Sequence, residues 1–583
     1  MGMKKVLAAL LSLTLVIGAA GCGQAQTGAS GTEAPASTAA ASKAGTAEEE
    51  VGSEAAQSSD GELITVKILG INGKATGDGG QTMTMKDWYT DGKSQRWQKV
   101  VDDLAARGVQ LELELIEQDQ YTTTIQTMVA SGEFSNYDFV NVSGLDEKTL
   151  ISLMRQGQIQ RLDDAIEQYS AGELKEFMET EAGQYWRNHM KYEDGNLYWF
   201  KPISTYTYEG GPGNSALAAS IRQDWLDAIG AEIPQTTEEL FDVLTQFQEQ
   251  DVNQSGSVDE VMWLNYSNFN TDVAQWFGLG ADVTFVNLQD NNTVTSPWYQ
   301  ENVKDYIAYM NRLYKAGLLR MNDSQTSSYM MENRVAFISD WATQTWQEPT
   351  VVVPEGAEYP WYVPFRAEAA EGQTPLWRGG NQYMMGSSYF VVPAESQNIE
   401  GVIKMLDYFC SDEGVEVTEW GIEGVNYMKD EEGNMTQDID STFENVDAAV
   451  GCAFWANNLI PRFELGRDLA QAMSRTTNFG IDHGVANNPT GKADFCAEVM
   501  ENQGDRTPHD KGDLAFPTLE EISATSDLTT DLTTYSQELL SKLITGERSM
   551  DDWDTYIQDL KDLGLDEIIA AEQARADRAM GTE

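Results

Sequence analysis

Leu63-Ile64-Thr65-Val66-Lys67-Ile68-Leu69 and Val109-Gln110-Leu111-Glu112-Leu113-Glu114-Leu115-Ile116 alternate apolar and polar side chains, and between them Trp97 to Arg107 has helical spacing and stops before Gly108. A period of two with β-branched residues predicts strands with one face toward a core. Strand, helix, strand predicts a right-handed βαβ unit in an α/β layer, because parallel strands need a crossover and that crossover has one hand. Tyr121 to Ala130 predicts a further helix ending at Ser131-Gly132, where glycine accepts positive φ, and Tyr137 to Val142 predicts the next strand. The unit repeats, and the fold begins near Glu62.

Upstream of this layer the chain opens MGMKKVLAALLSLTLVIGAAGC. Lys4 and Lys5 precede an apolar stretch, Val6 to Ile17, that is short for a bilayer span, and the small residues Ala19-Ala20-Gly21 stand before Cys22. This predicts a signal peptide over residues 1–21. Its end resembles the lipobox of bacterial lipoproteins, with Ala at position 19 where Leu is usual. The resemblance implies lipidation of the Cys22 thiol by fatty acyl chains such as palmitate, and cleavage before it. From Gly23 to about Asp60 the sequence has no Trp, Phe, Tyr, Ile, Leu or Met. Such a stretch buries too little apolar surface to offset its ordering entropy, so residues 22–60 read as an acylated cysteine and a disordered tether.

Roughly 520 residues remain, which predicts two or more lobes. The formal net charge of −55 argues against nucleic acid and other polyanions and holds the body off an anionic lipid surface, leaving the acyl anchor as the membrane contact. Of the four cysteines, Cys410 follows the amphipathic run from Val402 to Phe409 and reads as a buried helical thiol, while Cys452 and Cys496 form a possible disulfide. The three histidines, His189, His483 and His509, are far apart, and no CxxC or Cys/His cluster suggests zinc.

A series of stretches then occurs in a set order: MVASGEFSNYDFV (Met128 to Val140), QGQIQRLDD (Gln156 to Asp164), DGNLYWFKP (Asp194 to Pro202), and IRQDWLDAIGAEIPQTTEELFDVLTQF (Ile221 to Phe247). NRVAFISDW (Asn333 to Trp341), IEGVIKMLDYFCSDEG (Ile399 to Gly414), WGIEGVNYM (Trp420 to Met428) and MDDWDTYIQDLKDLGLDEII (Met550 to Ile569) follow. Each is first of all turn and cap chemistry: Asp224-Trp225-Leu226 opens a helix that ends at Gly230, and Thr236 to Glu239 has the spacing of a capping box. Together they resemble the lipid-anchored extracellular solute-binding proteins of ABC importers, in the carbohydrate-associated family 1 that includes alginate-oligosaccharide-binding proteins.

The resemblance implies an α/β, two-lobe periplasmic-binding-protein-like (type II) fold with hinge crossovers and a cleft between lobes. The first crossover is expected after Tyr198 to Pro202 and the return near Tyr389 to Pro393. That division gives a first lobe of about 61–205 and 388–465 and a second of about 206–387 and 466–583.

Asp251-Val252-Asn253-Gln254-Ser255-Gly256-Ser257-Val258-Asp259-Glu260 places oxygen side chains at alternate positions around a glycine, as a hard cation requires. Asp251, Asn253 and Ser255 take positions 1, 3 and 5 of an EF-hand-like loop, and Ser257 offers its carbonyl at position 7. Position 12 is Met262 instead of a bidentate Glu. The family's loop of this shape ends in Asp-Glu, so the resemblance supplies Asp259 and Glu260 and implies a structural Ca2+ that stiffens the second lobe.

Aromatic residues are dense in stretches that the family places near its cleft: Trp88, Tyr89, Trp186, Trp199, Tyr206, Tyr208, Trp263, Tyr266, Trp276, Trp341, Trp346, Trp377 and Trp455. Flat rings with polar neighbours suit the C–H faces and hydroxyls of sugars, although core packing is the commoner use of any one ring. Trp199, Tyr208, Trp341, Trp377 and Arg378 are the expected ligand contacts, with Asp340 and Asn426 as hydroxyl partners. The acidic balance favours a neutral oligosaccharide, and Arg378 keeps an acidic sugar open. The expected device is a monomer at the extracytoplasmic face of the cell membrane that passes ligand to transmembrane permease subunits. Two alternatives stand beside it, a peptide or other solute binder on the same scaffold and an extracellular glycosidase, although no nucleophile or metalloprotease signature appears.

Overall fold

The computed structural model describes residues 63–76, 82–86, 94–208, 211–212, 217–257, 259, 261–263, 269, 272–280, 282–287, 292–321, 329, 332–341, 362–369, 383–386, 388–419, 421–425, 428–429, 435–436, 463–468 and 514–581. The signal, Cys22, the tether, Cys452 and Cys496 lie outside them.

β1 (Ile64–Asn72) and β2 (Val109–Glu117) pair in parallel along their whole length, from Ile64 opposite Val109 to Asn72 opposite Glu117. α1 (Gln95–Ala106) makes the crossover. Ser94 caps it by accepting the Trp97 N–H at 2.8 Å, and Trp97, Val100 and Leu104 face the sheet. α2 (Tyr121–Ser131) ends at Gly132 with φ of 79°, and a turn leads to β3 (Phe139–Asn141) on the other side of β1. α3 (Glu147–Arg155) and α4 (Glu181–Met190) follow, each opened by an N-cap side chain, Asp146 and Thr180.

The chain then leaves through β4 (Ile203–Tyr208). Beyond it, β5 (Leu217–Arg222), α5 (Thr237–Glu249), β6 (Val261–Trp263), α6 (Val303–Lys315), β7 (Val335–Trp341) and β8 (Tyr362–Pro364) build a second layer with strand order β8-β5-β7-β6. Thr236 and Glu239 form the expected capping box of α5, and the helix over Gln223–Ile229 closes on Gly230 in the left-handed region. β9 (Tyr383–Met385) carries the chain back, and β10 (Phe390–Val391) adds antiparallel to β3, completing the first sheet in the order β10-β3-β1-β2. α7 (Ile399–Cys410) packs Val402, Ile403, Met405, Leu406 and Phe409 inward, and Cys410 at its end is a free cysteine whose thiol burial pushes its pKa up. β11 (Phe463–Asp468) pairs parallel with β4.

Two separate cores result. Stacked aromatics anchor the first: Phe139 lies on Phe390 with centroids 5.3 Å apart, and Trp186 on Phe200 at 5.9 Å. The second is built around Trp225, Trp276, Trp298, Tyr306 and Phe337. Each large side chain so buried is worth about 1.5–3 kcal/mol. β9, β4 and β11 form a third, narrow sheet in the order β9-β4-β11, hydrogen-bonded to neither layer and packed through Ile203 and Met385 on the first core. The outward strand β4 and the return strand β9 run antiparallel, and Phe200 bridges Phe390 where they meet the first layer. This is a two-lobe, mixed α/β fold.

The last segment joins the two cores. α8 (Leu519–Thr545), with its own capping box at Thr518 and Glu521, is 27 residues long and so spans about 40 Å. Leu519 and Ile522 pack on the first core, whereas Leu532, Leu539, Leu540, Leu543 and Ile544 lie inside the second. α9 (Trp553–Asp562) turns the chain, and α10 (Leu565–Met580) runs back toward α4. Phe516, in a segment expected to serve the second lobe, is in the first core instead. Its ring stacks on Trp199 at 3.9 Å, a contact of high sequence separation that local pattern does not encode.

Candidate functional site

The strand registers fix where each sheet stands relative to the crossover. In the first lobe, the C-terminal end of β3 (Asn141 opposite Phe390) adjoins the bridge from Phe200, and the loop Val142–Asp146 leads from there into α3. In the second lobe, Trp341 pairs with Leu217 and Asp340 with Ala218, so the end of β7 adjoins the residues that enter from the crossover. The backbone places Asp340 and Trp341 at the C-terminal end of β7, opposite the first residues of β5, and Tyr208 at the outer end of crossover strand β4. Trp377, Arg378 and Asn426 lie outside the described residues.

Trp199 takes a different place from the one expected. It has no exposed surface, with Phe516 stacked on its face and Tyr192 edge-on at 6.3 Å, so it supports the wall from within and offers no platform to a ligand. Trp186 and Trp276 are core residues too. Whether a tryptophan lines a cleft or fills a core depends here on a phenylalanine more than 300 positions away.

A pocket of ≈ 450 Å³ opens between the first turn of α3 (Asp146, Glu147, Lys148) and the facing sides of α8 and α10, including Thr525, Thr529, Ala571 and Arg575. Its walls come from the first lobe and from the helices that reach the second.

The loop after α5 has the geometry expected of a cation site. Gln254 and Gly256 take positive φ, 56° and 83°, which curls the chain so that alternate residues turn inward. Three acceptors surround the Ser255 hydroxyl oxygen: Ser257 O at 2.8 Å, Asp259 Oδ1 at 2.9 Å and Asp251 Oδ1 at 3.5 Å. The Asn253 amide adds a donor to Asp259 at 3.0 Å, and its own oxygen accepts the Ser255 N–H. The Gly256 N–H donates to Asp251 Oδ2 at 2.9 Å and the Ser257 N–H to Ser255 Oγ at 3.2 Å, and the two carboxylates keep further lone pairs directed at the centre of the loop. A hard cation fits that donor set. Asp251, Asn253, Ser255, Ser257 through its carbonyl, and Asp259 would hold it. Glu260 lies outside the described residues, and among the described residues no three Asp, Glu, His or Cys side chains gather as a metal cluster.

Asp259 also ties the loop to the sheet. Arg334, immediately before β7, donates to the Asp259 carbonyl at 2.8 Å and pairs with its carboxylate at 3.5 Å. The Asn253 amide, then Ser255 and Arg334, lower the Asp259 pKa against partial desolvation, so a charged ligand oxygen is present at neutral pH. β6 begins two residues further on and lies parallel to β7, so the loop sits at the far end of the strand that carries Asp340 and Trp341. What sequence spacing alone misses is Arg334, whose proximity comes from strand pairing.

Residues 99–420 match the sequence model of the family described as bacterial extracellular solute-binding protein. The chain is 21% identical over 487 residues to the fructooligosaccharide ABC transporter substrate-binding protein FusA of Streptococcus pneumoniae, covering 77% of this chain and 81% of that one. A structure of the EF-hand mutant of that protein in complex with fructo-nystose superposes with a TM-score of 0.63 at 18% identity, over 89% of this chain and 100% of the other. An HMO-binding, ABC-transporter-associated solute-binding protein from Bifidobacterium longum infantis gives 0.62 at 16% identity, over 89% and 99%. The alginate-binding protein AlgQ2 without calcium ion gives 0.59 at 19% identity, again over 89% and 99%. At such identities the superpositions show the fold, and among the described residues no helix is long and apolar enough to cross a membrane. With a match over more than half its length and the two-lobe architecture in place, the chain belongs to the bacterial extracellular solute-binding proteins.

Proposed function

We propose that this protein is the receptor of an ABC importer, a lipoprotein that captures an oligosaccharide between its lobes and delivers it to a membrane permease. One observation carries the proposal: the chain leaves the first core through β4 and returns to it through β9, paired side by side in one narrow sheet, and builds a second core between those two passages, in a chain similar to a fructooligosaccharide ABC transporter substrate-binding protein. Ligand that touches both lobes favours their closed arrangement by its differential contacts, and the closed form is what a permease can recognise. Tyr208 at the end of β4, Asp340 and Trp341 at the end of β7, and Trp377, Arg378 and Asn426 form the proposed contact set, and a neutral glycan suits the acidic chain best. The relatives are binding proteins, which supports a receptor without catalytic activity.

Cys22 supplies the anchor in this proposal and keeps a monomer near the permease at high effective concentration. Ca2+ in the Asp251–Asp259 loop fixes the corner where α5 meets β6 and, through Arg334, β7. The test is a thermal-shift screen of the purified chain against fructo-, milk- and alginate-derived oligosaccharides and a peptide library. A midpoint rise with one glycan class is expected, and a rise with peptides and with no glycan overturns the substrate assignment.

A further inference from the structure

Phe516 is fixed to the first lobe. Its ring lies on Trp199 and meets Tyr389 edge-on at 5.8 Å, its N–H donates to His189 O at 3.0 Å, and Glu521 holds Arg578 through two contacts of 2.8 Å. From Leu532 onward α8 is fixed to the second lobe. Ser536 Oγ accepts the buried Trp298 indole N–H at 2.8 Å, and Asn311 donates to Ile544 O at 2.6 Å. Rotation of one lobe against the other therefore bears on α8 between these anchors, and on α10 beside it, whose Leu565 and Ile568 lie in the second core while Arg575 and Arg578 hold Ala515 and Phe516.

The intervening residues are suited to that. Ser523-Ala524-Thr525-Ser526-Asp527-Leu528-Thr529-Thr530-Asp531 contains no buried residue, and only Thr525 and Leu528 are even partly covered. Ser, Thr and Asp are poor helix formers compared with Ala. Ser523 Oγ donates to Leu519 O at 2.7 Å, Thr525 Oγ1 to Glu521 O and Thr529 Oγ1 to Thr525 O, both at 2.9 Å. Such back-bonding to the preceding turn weakens a helix and favours bending. Thr525, Ser526 and Thr529 face the ≈ 450 Å³ pocket, so space for a bend lies directly under the weak turn, and Leu528 is the one side chain of the stretch that packs on the second core.

We infer that Ser523–Asp531 is a flexure in α8, the part of the C-terminal strap that bends when the lobes rotate, and that its stiffness sets how far the receptor opens. This rests on the hinged-receptor proposal and adds a second moving part beside the crossover sheet. Helical strain here is shared between the anchors, so stiffening the segment narrows the range of interlobe distances.

The test uses the intact chain without ligand. Hydrogen exchange is expected to be at least about tenfold faster at the amides of 523–531 than at those of 536–544. Dyes on unnatural residues in place of exposed Glu167 and Gln246 report the interlobe distance in single molecules. Joint replacement Ser523→Ala, Thr525→Ala, Ser526→Ala, Thr529→Ala and Thr530→Ala narrows that distribution and slows exchange about tenfold, while Gln537→Ala with Ser541→Ala leaves both unchanged. Ala571→Met, which fills the pocket from α10, narrows the distribution independently. A broad distribution that both stiffening changes leave broad overturns the flexure alone. A single narrow distance in the unmodified protein overturns the hinged-receptor proposal itself.

Discussion

The first lobe is closed by its opening strands together with the return segment that follows the second lobe, and the second by residues from the far end of the chain. β1, α1, β2 and β3 follow in order, and Phe139, Phe200 and Phe390 stack where the chain leaves and returns. In the second lobe, Leu539, Leu540, Leu543 and Ile544 of α8, with Tyr556 and Leu560 of α9, cover strands that ended some two hundred residues earlier. The two lobes share a layer architecture and differ in how it is finished. Among the described residues of 514–581 the first core buries one ring, Phe516, while the second buries an entire wall.

The sharpest way to break this contrast is Phe516→Ala. Loss of a ring stacked on Trp199 is expected to cost about 3–5 kcal/mol in denaturant unfolding and to release the strap from the first lobe. A loss below about 1 kcal/mol would mean the first lobe closes without it. Leu540→Ala, which opens a cavity in the borrowed wall of the second lobe, is expected to cost about 3 kcal/mol and to lower protection in β5 and β7 before β1 and β2. Equal loss of protection in both sheets would show that the lobes unfold as one.

Calcium should then act on one lobe. At one hundred times its dissociation constant a bound ion adds about 2.7 kcal/mol, and Asp251→Asn with Asp259→Asn should abolish the calcium-dependent rise in midpoint without moving the midpoint in chelator by as much. A full response retained in that double variant would remove the loop from the account.

The smallest effect is expected at Glu521. Hydrogen bonds from Arg578 and from the Thr518 N–H lower its pKa against the opposing effect of burial. The folded value lies below the unfolded one, so its contribution is present above the ordinary glutamate range and is lost as pH falls through the depressed folded value. Glu521→Gln keeps the capping-box geometry, should cost about 1–2 kcal/mol at pH 7, and should converge with the parent protein as pH falls. A gap that stays constant from pH 7 into the acid range would show that charge is not what the pair contributes.

The same contrast explains what could be read in advance. The alternation in Val109 to Ile116, the glycines at 132 and 230 and the Thr236 box are local codes, and each element forms within one or two residues of its expected place. The spacing of Asp251, Asn253, Ser255 and Ser257 is local too, and the structure draws those residues around one point. Composition points to Trp199 as a cleft residue because it shows that a ring exists but not what covers it, and its cover is Phe516. Arg334 escaped notice for the same reason, since only the pairing of β6 with β7 brings it to Asp259. Contacts that cross hundreds of positions leave no periodic trace.

The strap also sets a schedule. Trp298 finds its hydrogen-bond partner 238 residues later, at Ser536, and a chain made from its N-terminus holds the second core open until that stretch emerges. The first lobe can condense early, whereas the second waits with Trp298, Tyr306 and Leu313 uncovered, a surface that folding helpers bind and proteases find. Synthesis halted before Leu532 therefore leaves a half-built receptor that quality control can recognise, so completeness of the chain is read out by its own last helices.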